Sequence, residues 1–274
     1  MAVEVVFGVF SNSLALLADA GHNLSDVLAL LLAWGAGVLA RKQPTQRHTY
    51  GLRRSSVLAA LVNAVVLLVA VGAIAWEAVL RFSHPEVVES GVVIGVATVG
   101  ILINGFTAWL FMSGKEDDVN IQGAYLHMAS DAAVSLGVVL AALVMQFTGW
   151  LWLDPVMSLS IAVVIGLGTW GLLRESLNLA LDAVPASIHP AQVAAYLGAL
   201  PGVVAVHDLH IWAMSTTEIA LTVHLVKPDA VVDDALLARI NHDLRTQFNI
   251  HHTTVQLETG DPAHPCHQAP VEVV

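Results

Sequence analysis

The chain has 274 residues, of which 56% are hydrophobic and 12% charged, and its mean hydropathy of +0.72 excludes an ordinary water-soluble globule, whose apolar share is about 45–50%. With 11 Lys+Arg against 22 Asp+Glu, the formal charge of −11 excludes nucleic acid as a partner, which needs a basic surface, and suits cationic cargo. The one cysteine, Cys266, excludes a disulfide framework and any multi-cysteine zinc site within one chain.

Residues 1–10 (MAVEVVFGVF) are apolar, but at ~1.5 Å per residue they reach across only about half a bilayer. Lacking a basic flank or a cleavage pattern, they read as a clipped first transmembrane helix rather than a signal peptide. Five full apolar spans follow, at 14–40, 55–80, 91–112, 123–147 and 153–181. Counting the clipped helix, the pattern predicts a polytopic α-helical membrane domain of six transmembrane helices over residues 1–183. Five of the 11 basic residues, Arg41, Lys42, Arg47, Arg53 and Arg54, fall in the loop after the second helix, which the positive-inside rule places in the cytoplasm. The 81–90 loop and the 149–154 turn then lie outside, while the 113–120 loop and both termini lie inside.

From residue 184 the apolar runs shorten between Pro185, Pro190, Pro201 and Pro228. Residues 189–200 have helical spacing, and 203–214 with 217–226 read as strands paired around a Ser215-Thr216 turn. An amphipathic helix over 232–248 and a strand over 253–258 complete the pattern. The order αββαβ predicts a small ferredoxin-like α/β domain over 184–260, followed by a flexible, aperiodic tail over 261–274.

Ionisable residues inside a span cost about 2.5–3.5 kcal/mol each on insertion scales, which marks them as functional candidates. Here they form a pattern: His22 and Asp26 in the second helix and His127 and Asp131 in the fifth share one H-x-x-x-D spacing. Residues i and i+4 share a helix face. Counted at ~1.5 Å per residue, His22 and Asp26 lie about 12 and 18 Å below the outer surface, and His127 and Asp131 about 21 and 15 Å, so the four converge near the midplane. Two imidazoles and two carboxylates make a tetrahedral N₂O₂ set suited to Zn²⁺, compatible with Co²⁺ or Cd²⁺ and poor for Mg²⁺ or Ca²⁺. The competing reading is that each pair is a neutralising contact or a helix clamp. A zinc hydrolase would need an open coordination position and a base, and no H-E-x-x-H occurs. Asp19, three residues before His22, either lines the outward path or caps within its helix. Asn63 and Asn104 either orient the ligands or bond neighbouring helices.

A histidine offers one lone pair to either Zn²⁺ or H⁺, and its ordinary pKa of ~6.5 is physiological. Metal loaded at cytoplasmic pH is therefore released on the acidic side, with protons as the counter-ion, which is secondary antiport through a midplane site with alternating access. No phosphate-loop motif offers ATP drive. The alternative function is a membrane-bound metal sensor or store that binds zinc without moving it.

The segments LALLADAGHNLSDV, AYLHMASDA, RHTYGLRR and VHDLHIW resemble, in order and along nearly the whole chain, the cation diffusion facilitator family of zinc exporters. The resemblance implies a homodimer in the lipid bilayer that exchanges cytoplasmic Zn²⁺ for H⁺ and has no organic cofactor. It assigns His22, Asp26, His127 and Asp131 as the transport site, and Arg54 with Asp182 as an interlock near the dimer interface. In the loop before the third span it offers only His48 for a further metal, with Leu52 where a second histidine is expected. Short loops without a eukaryotic sorting signal point to a bacterial inner membrane, with the C-terminal domain cytoplasmic.

In that domain, His207, His224 and Glu258 lie on successive strands, which are spaced ~4.8 Å apart, and match the family's cytoplasmic metal positions. Gln256 stands where some relatives carry a ligand, so His264, Cys266 or His267 of the tail are candidates to complete the set. His210, His251 and His252 read as surface residues. Zinc bound here would act either as a regulatory ligand that biases the transporter or not at all, leaving a passive dimerisation domain.

Overall fold

A computed structural model of the protein describes residues 2–112, 119–229 and 234–269. Most of the predicted 113–120 loop and the first two residues of the predicted 232–248 helix lie outside the described residues. In chain order the elements are α1 (Ala2–Phe10), α2 (Leu14–Ala40), α3 (Ser55–Ser83), α4 (Ser90–Phe111), α5 (Val119–Thr148), α6 (Leu153–Ala180), α7 (Pro190–Gly198), β1 (Ala205–Ala213), β2 (Ile219–Val226), α8 (Asp234–Phe248) and β3 (His252–Glu258).

Helices α2 to α6 are each long and apolar enough to cross a membrane, and their ends agree with the hydropathy reading to within one turn. The chain is an integral membrane protein. Trp34, Val69, Trp76, Leu102, Phe106, Trp109, Leu167 and Trp170 are largely exposed, which water would penalise and hydrocarbon does not. Lipid leaves no partner for a bare backbone polar group, so the spans are continuous helices. Prolines are absent from their interiors: Pro155 sits in the first turn of α6, where its missing N–H costs nothing. The tight α5–α6 turn passes through Gly149 at φ 73°, a conformation that favours glycine.

The chain forms two compact units, Met1–Leu31 with Val62–Leu172, and Leu32–Leu61 with Leu173–Val274. In the first, α4 packs along α5 and α1 against α4, around Leu16, Val93, Ala97, Val138, Ala142 and Ile161. In the second, β2 is the central strand of a three-stranded sheet, antiparallel to β1 and parallel to β3. Val193 and Leu197 of α7, Ile240 and Leu244 of α8, and Leu221, Val223 and Leu225 of β2 form its core. Alternation then places His224 on the opposite face of the sheet from that core. There it pairs with His207 across β1 and with Gln256 across β3.

Candidate metal centres

Helical periodicity puts each H-x-x-x-D pair on one face, and the packing of the first unit turns the two faces toward each other. His22 Nε2 lies 3.7 Å from Asp26 and 3.4 Å from Asp131, while His127 Nε2 lies 3.3 Å from Asp26 and 3.7 Å from Asp131. One donor atom from each of the four falls within 4.8 Å of the other three. A tetrahedral ion with bonds of ~2.0–2.1 Å spaces its ligands about 3.3–3.4 Å apart, so the cluster needs only a small contraction to hold one. The imidazoles meet edge to face, with centroids 5.9 Å apart.

Access is uneven. The Asp131 side chain is 5% exposed, against 27% for His22, 39% for Asp26 and 43% for His127. The open side is a cavity of about 470 Å³, lined by His22, Ser25, Asp26, Asn63 and Asp131 and running along α6 to Leu172. Asn63 therefore lines the site's approach, whereas Asn104 is not among the lining residues. Asp19 is 1% exposed and accepts a hydrogen bond of 3.0 Å from Ser135 Oγ. Ser135 had gone unremarked in the sequence, although its place one turn beyond Asp131 puts it on the site-bearing face of α5.

On the open face of the sheet, one donor atom each from His207, His224, Glu258 and Cys266 also fall within 4.8 Å of one another. Register explains the arrangement: His207 and His224 are paired across β1 and β2, and Glu258 lies two residues beyond Gln256 on the same face of β3. His224 Nδ1 is 3.0 Å from Glu258 and 3.5 Å from Cys266 Sγ, and His207 Nε2 is 3.3 Å from Glu258. His207 Nε2 is buried without a hydrogen-bond partner, which suits a ligand atom. Burial pushes the Glu258 carboxyl up, but hydrogen bonds from Cys266 and Gln256 and the nearby His207 and His224 outweigh it and hold the group below its ordinary range. Gln256 is thus a holder of Glu258, to which it donates at 2.9 Å.

Of the three tail candidates, only Cys266 joins this cluster. His264 instead pairs with Asp261 at 2.9 Å and is 85% exposed; His267 is exposed and outside both donor groups. His48 is also exposed and joins neither; its backbone closes a turn with Thr45 and Gly51. His252 meets the Tyr50 ring, with centroids 5.4 Å apart. Arg54 and Asp182 form an ion pair within the chain: Asp182 lies two residues beyond the end of α6 at φ 60°, where the chain reverses and turns its carboxylate to Arg54.

Sequence reasoning missed Asp208. A bulge interrupts β1 between His207 and His210, with Asp208 at φ 51°. That twist puts its carboxylate 3.4 Å from His224 Nε2 and 2.8 Å from His210 Nε2. Strict alternation would have pointed Asp208 away from His207, so the only available signal was Asp's tolerance of left-handed backbone.

Fold and donor sets together define a polytopic membrane protein with a His/Asp donor cluster among its spans and a second donor cluster beside the sheet of an α/β domain. The comparisons make the class specific: residues 1–179 match the cation efflux transmembrane domain, and residues 185–260 match the cation efflux protein, cytoplasmic domain. The chain belongs to the cation efflux family, the cation diffusion facilitators, whose members are transporters and not enzymes. It is 40% identical over 270 residues to "Zinc transporter ZitB" of Shigella flexneri, covering 98% of this chain and 85% of that one. It is 35% identical over 269 residues to the "Cadmium, cobalt and zinc/H(+)-K(+) antiporter" of Bacillus velezensis, covering 96% and 86%. A solved "Metal-bound C-terminal domain of the CzcD transporter from Cuprividus metallidurans" is 39% identical over 26% of this chain and 99% of its own, with a TM-score of 0.24.

Proposed function

We propose that this chain is a zinc/proton antiporter that exports Zn²⁺, and also Cd²⁺ or Co²⁺, from the cytoplasm through His22, Asp26, His127 and Asp131. The observation that carries this reading is the meeting of four donor atoms within 4.8 Å from two H-x-x-x-D helices. Two oxygens and two nitrogens favour zinc, and their i, i+4 spacing lets two rigid helices assemble or disperse the set by moving apart. The zinc transporter and the zinc/H(+)-K(+) antiporter among the relatives support both metal and proton.

On this reading the membrane domain covers residues 1–183, the cytoplasmic domain 184–260 and the tail 261–274. The protein works as a homodimer in a bacterial inner membrane. His207, His224, Glu258 and Cys266 hold a regulatory zinc, whose charge neutralises the acidic face and stabilises one state of the cytoplasmic domain.

The test is ⁶⁵Zn²⁺ uptake into inside-out vesicles under an imposed pH gradient. Uptake should follow the gradient and fall to the level of empty vesicles in Asp26→Ala and Asp131→Ala. A chain that binds zinc but moves none would be a sensor or store instead.

A further inference from the structure

The two ends of α2 differ. Toward the basic loop, its site-bearing face borders the cavity through His22, Ser25, Asp26 and Ala29. In the other direction Leu14, Ala15, Leu16, Ala18, Asp19 and Ala20 are each at most 4% exposed, so along α2 the donor cluster is open toward the basic loop and shut toward the start of the helix, while on α5 and α6 the cavity wall continues to Gly137 and Met157.

Polar bonds fasten the shut end. Ser13 Oγ accepts from Leu16 N at 3.2 Å, while Asp154 of α6 accepts from Ser13 Oγ at 2.6 Å, Leu14 N at 2.9 Å and Ala15 N at 3.2 Å. The first N–H groups of a helix have no partner within it and carry partial positive charge, so a carboxylate there is held by geometry and field together. Asp154 is 1% exposed, and Arg81, near the end of α3, lies 3.7 Å from it. Arg81 also donates to Asn12 O at 2.6 Å and Oδ1 at 2.8 Å, and pairs with Glu86 at 3.3 Å. The start of α2 is thereby tied to α3 and α6 at one point, and between this clasp and the donor cluster Asp19 and Ser135 add a second bond, to α5.

We infer that Asp154 is the outer gate residue of the transport path, holding the start of α2 against α6 while the metal cluster faces the cytoplasmic side. The inference rests on the transport reading above. Such bonds suit a gate because entering water replaces each of them when the end opens, whereas apolar packing alone would have to expose bare surface. Asp154 touches no cargo; it acts through α2, which carries His22 and Asp26, and is a positioning residue.

The test uses the full chain with Cys266→Ser and Ala18→Cys, the new thiol lying at a buried position of α2 between clasp and cluster. A membrane-impermeant maleimide added from outside should label it slowly when Asp154 is present and about tenfold faster in Asp154→Asn. In inside-out vesicles the same variant should raise KM for zinc, because apparent affinity falls with the population of the cytoplasm-facing state. Damage that merely removes folded protein would lower total flux at constant KM. Should Asp154→Asn fail to fold, Ser13→Ala removes the hydroxyl's bonds to Asp154 and from Leu16 N, leaves the two backbone N–H bonds to Asp154, and should speed labelling about threefold. Unchanged labelling and KM in both folded variants overturns the gate. Faster labelling in a chain that moves no zinc keeps the gate and overturns the antiport reading.

Discussion

Asp131 differs from its three companions in being nearly enclosed while lying within reach of both imidazoles. A buried carboxylate with two such neighbours gains most from a bound cation and has the least water to fall back on. Asp131→Asn should therefore weaken zinc binding by more than tenfold in equilibrium titration, and by more than Asp26→Asn does; the opposite order would assign the main grip to the open side. Cys266, in the tail beside the sheet of the α/β domain, makes a parallel case. Its thiolate would be the soft ligand in an otherwise nitrogen and oxygen set, so Cys266→Ser should abolish the sulfur-to-metal absorption of the Co²⁺-loaded chain, whereas His264→Ala should leave it. Absence of that band in the unmodified chain would remove Cys266 from the ligand set.

At the scale of the element, the β1 bulge and the α7–α8 layer carry the consequences. Replacing Asp208 by Ala removes its contacts to His224 and His210 and leaves a side chain without a local acceptor at positive φ. Unfolding of the C-terminal α/β domain should become easier by about 1–2 kcal/mol, read as a lower chemical midpoint. Leu197→Ala, at a fully buried position of α7, should cost about 2–5 kcal/mol in the same assay. Tyr196, on the same helix, gives a spectroscopic check. Burial first, then its 2.7 Å hydrogen bond to the Asp243 carboxylate, push its hydroxyl up to about 12. The stability it contributes is complete below the ordinary tyrosine pKa of ~10 and is lost as pH rises through 12. Phenolate absorbance of the 3 tyrosines should show a last step that Tyr196→Phe removes.

For the whole molecule, the Arg54–Asp182 pair separates fold stability from assembly. Its side chains are 45% and 55% exposed, so the pair should add no more than about 1 kcal/mol to folding. Arg54→Ala should leave the unfolding midpoint nearly unchanged; a loss of cross-linked dimer in membranes would place the pair's work at the interface, and an intact dimer would deny it that role.

The spans, the αββαβ order and the four donors of α2 and α5 were legible in the residues, because hydrocarbon thickness, backbone satisfaction and helical periodicity are local constraints that a linear pattern records. So were His207, His224 and Glu258, through strand register. Asp208 was not, since a bulge breaks the alternation on which such readings depend. The tail was opaque too: three residues with metal-binding chemistry lie within four positions, and only the path of residues 261–269 separates Cys266 from His264 and His267. Nothing in the sequence singled out Asp154, because its partners Ser13, Leu14 and Ala15 are some 140 residues away. Sequence alone thus determined the membrane class, the element order and which donors share a face, each set by interactions over a few residues. Tertiary structure decided which faces meet, which end of α2 is shut and which tail residue reaches the sheet, because those depend on packing between segments far apart in the chain.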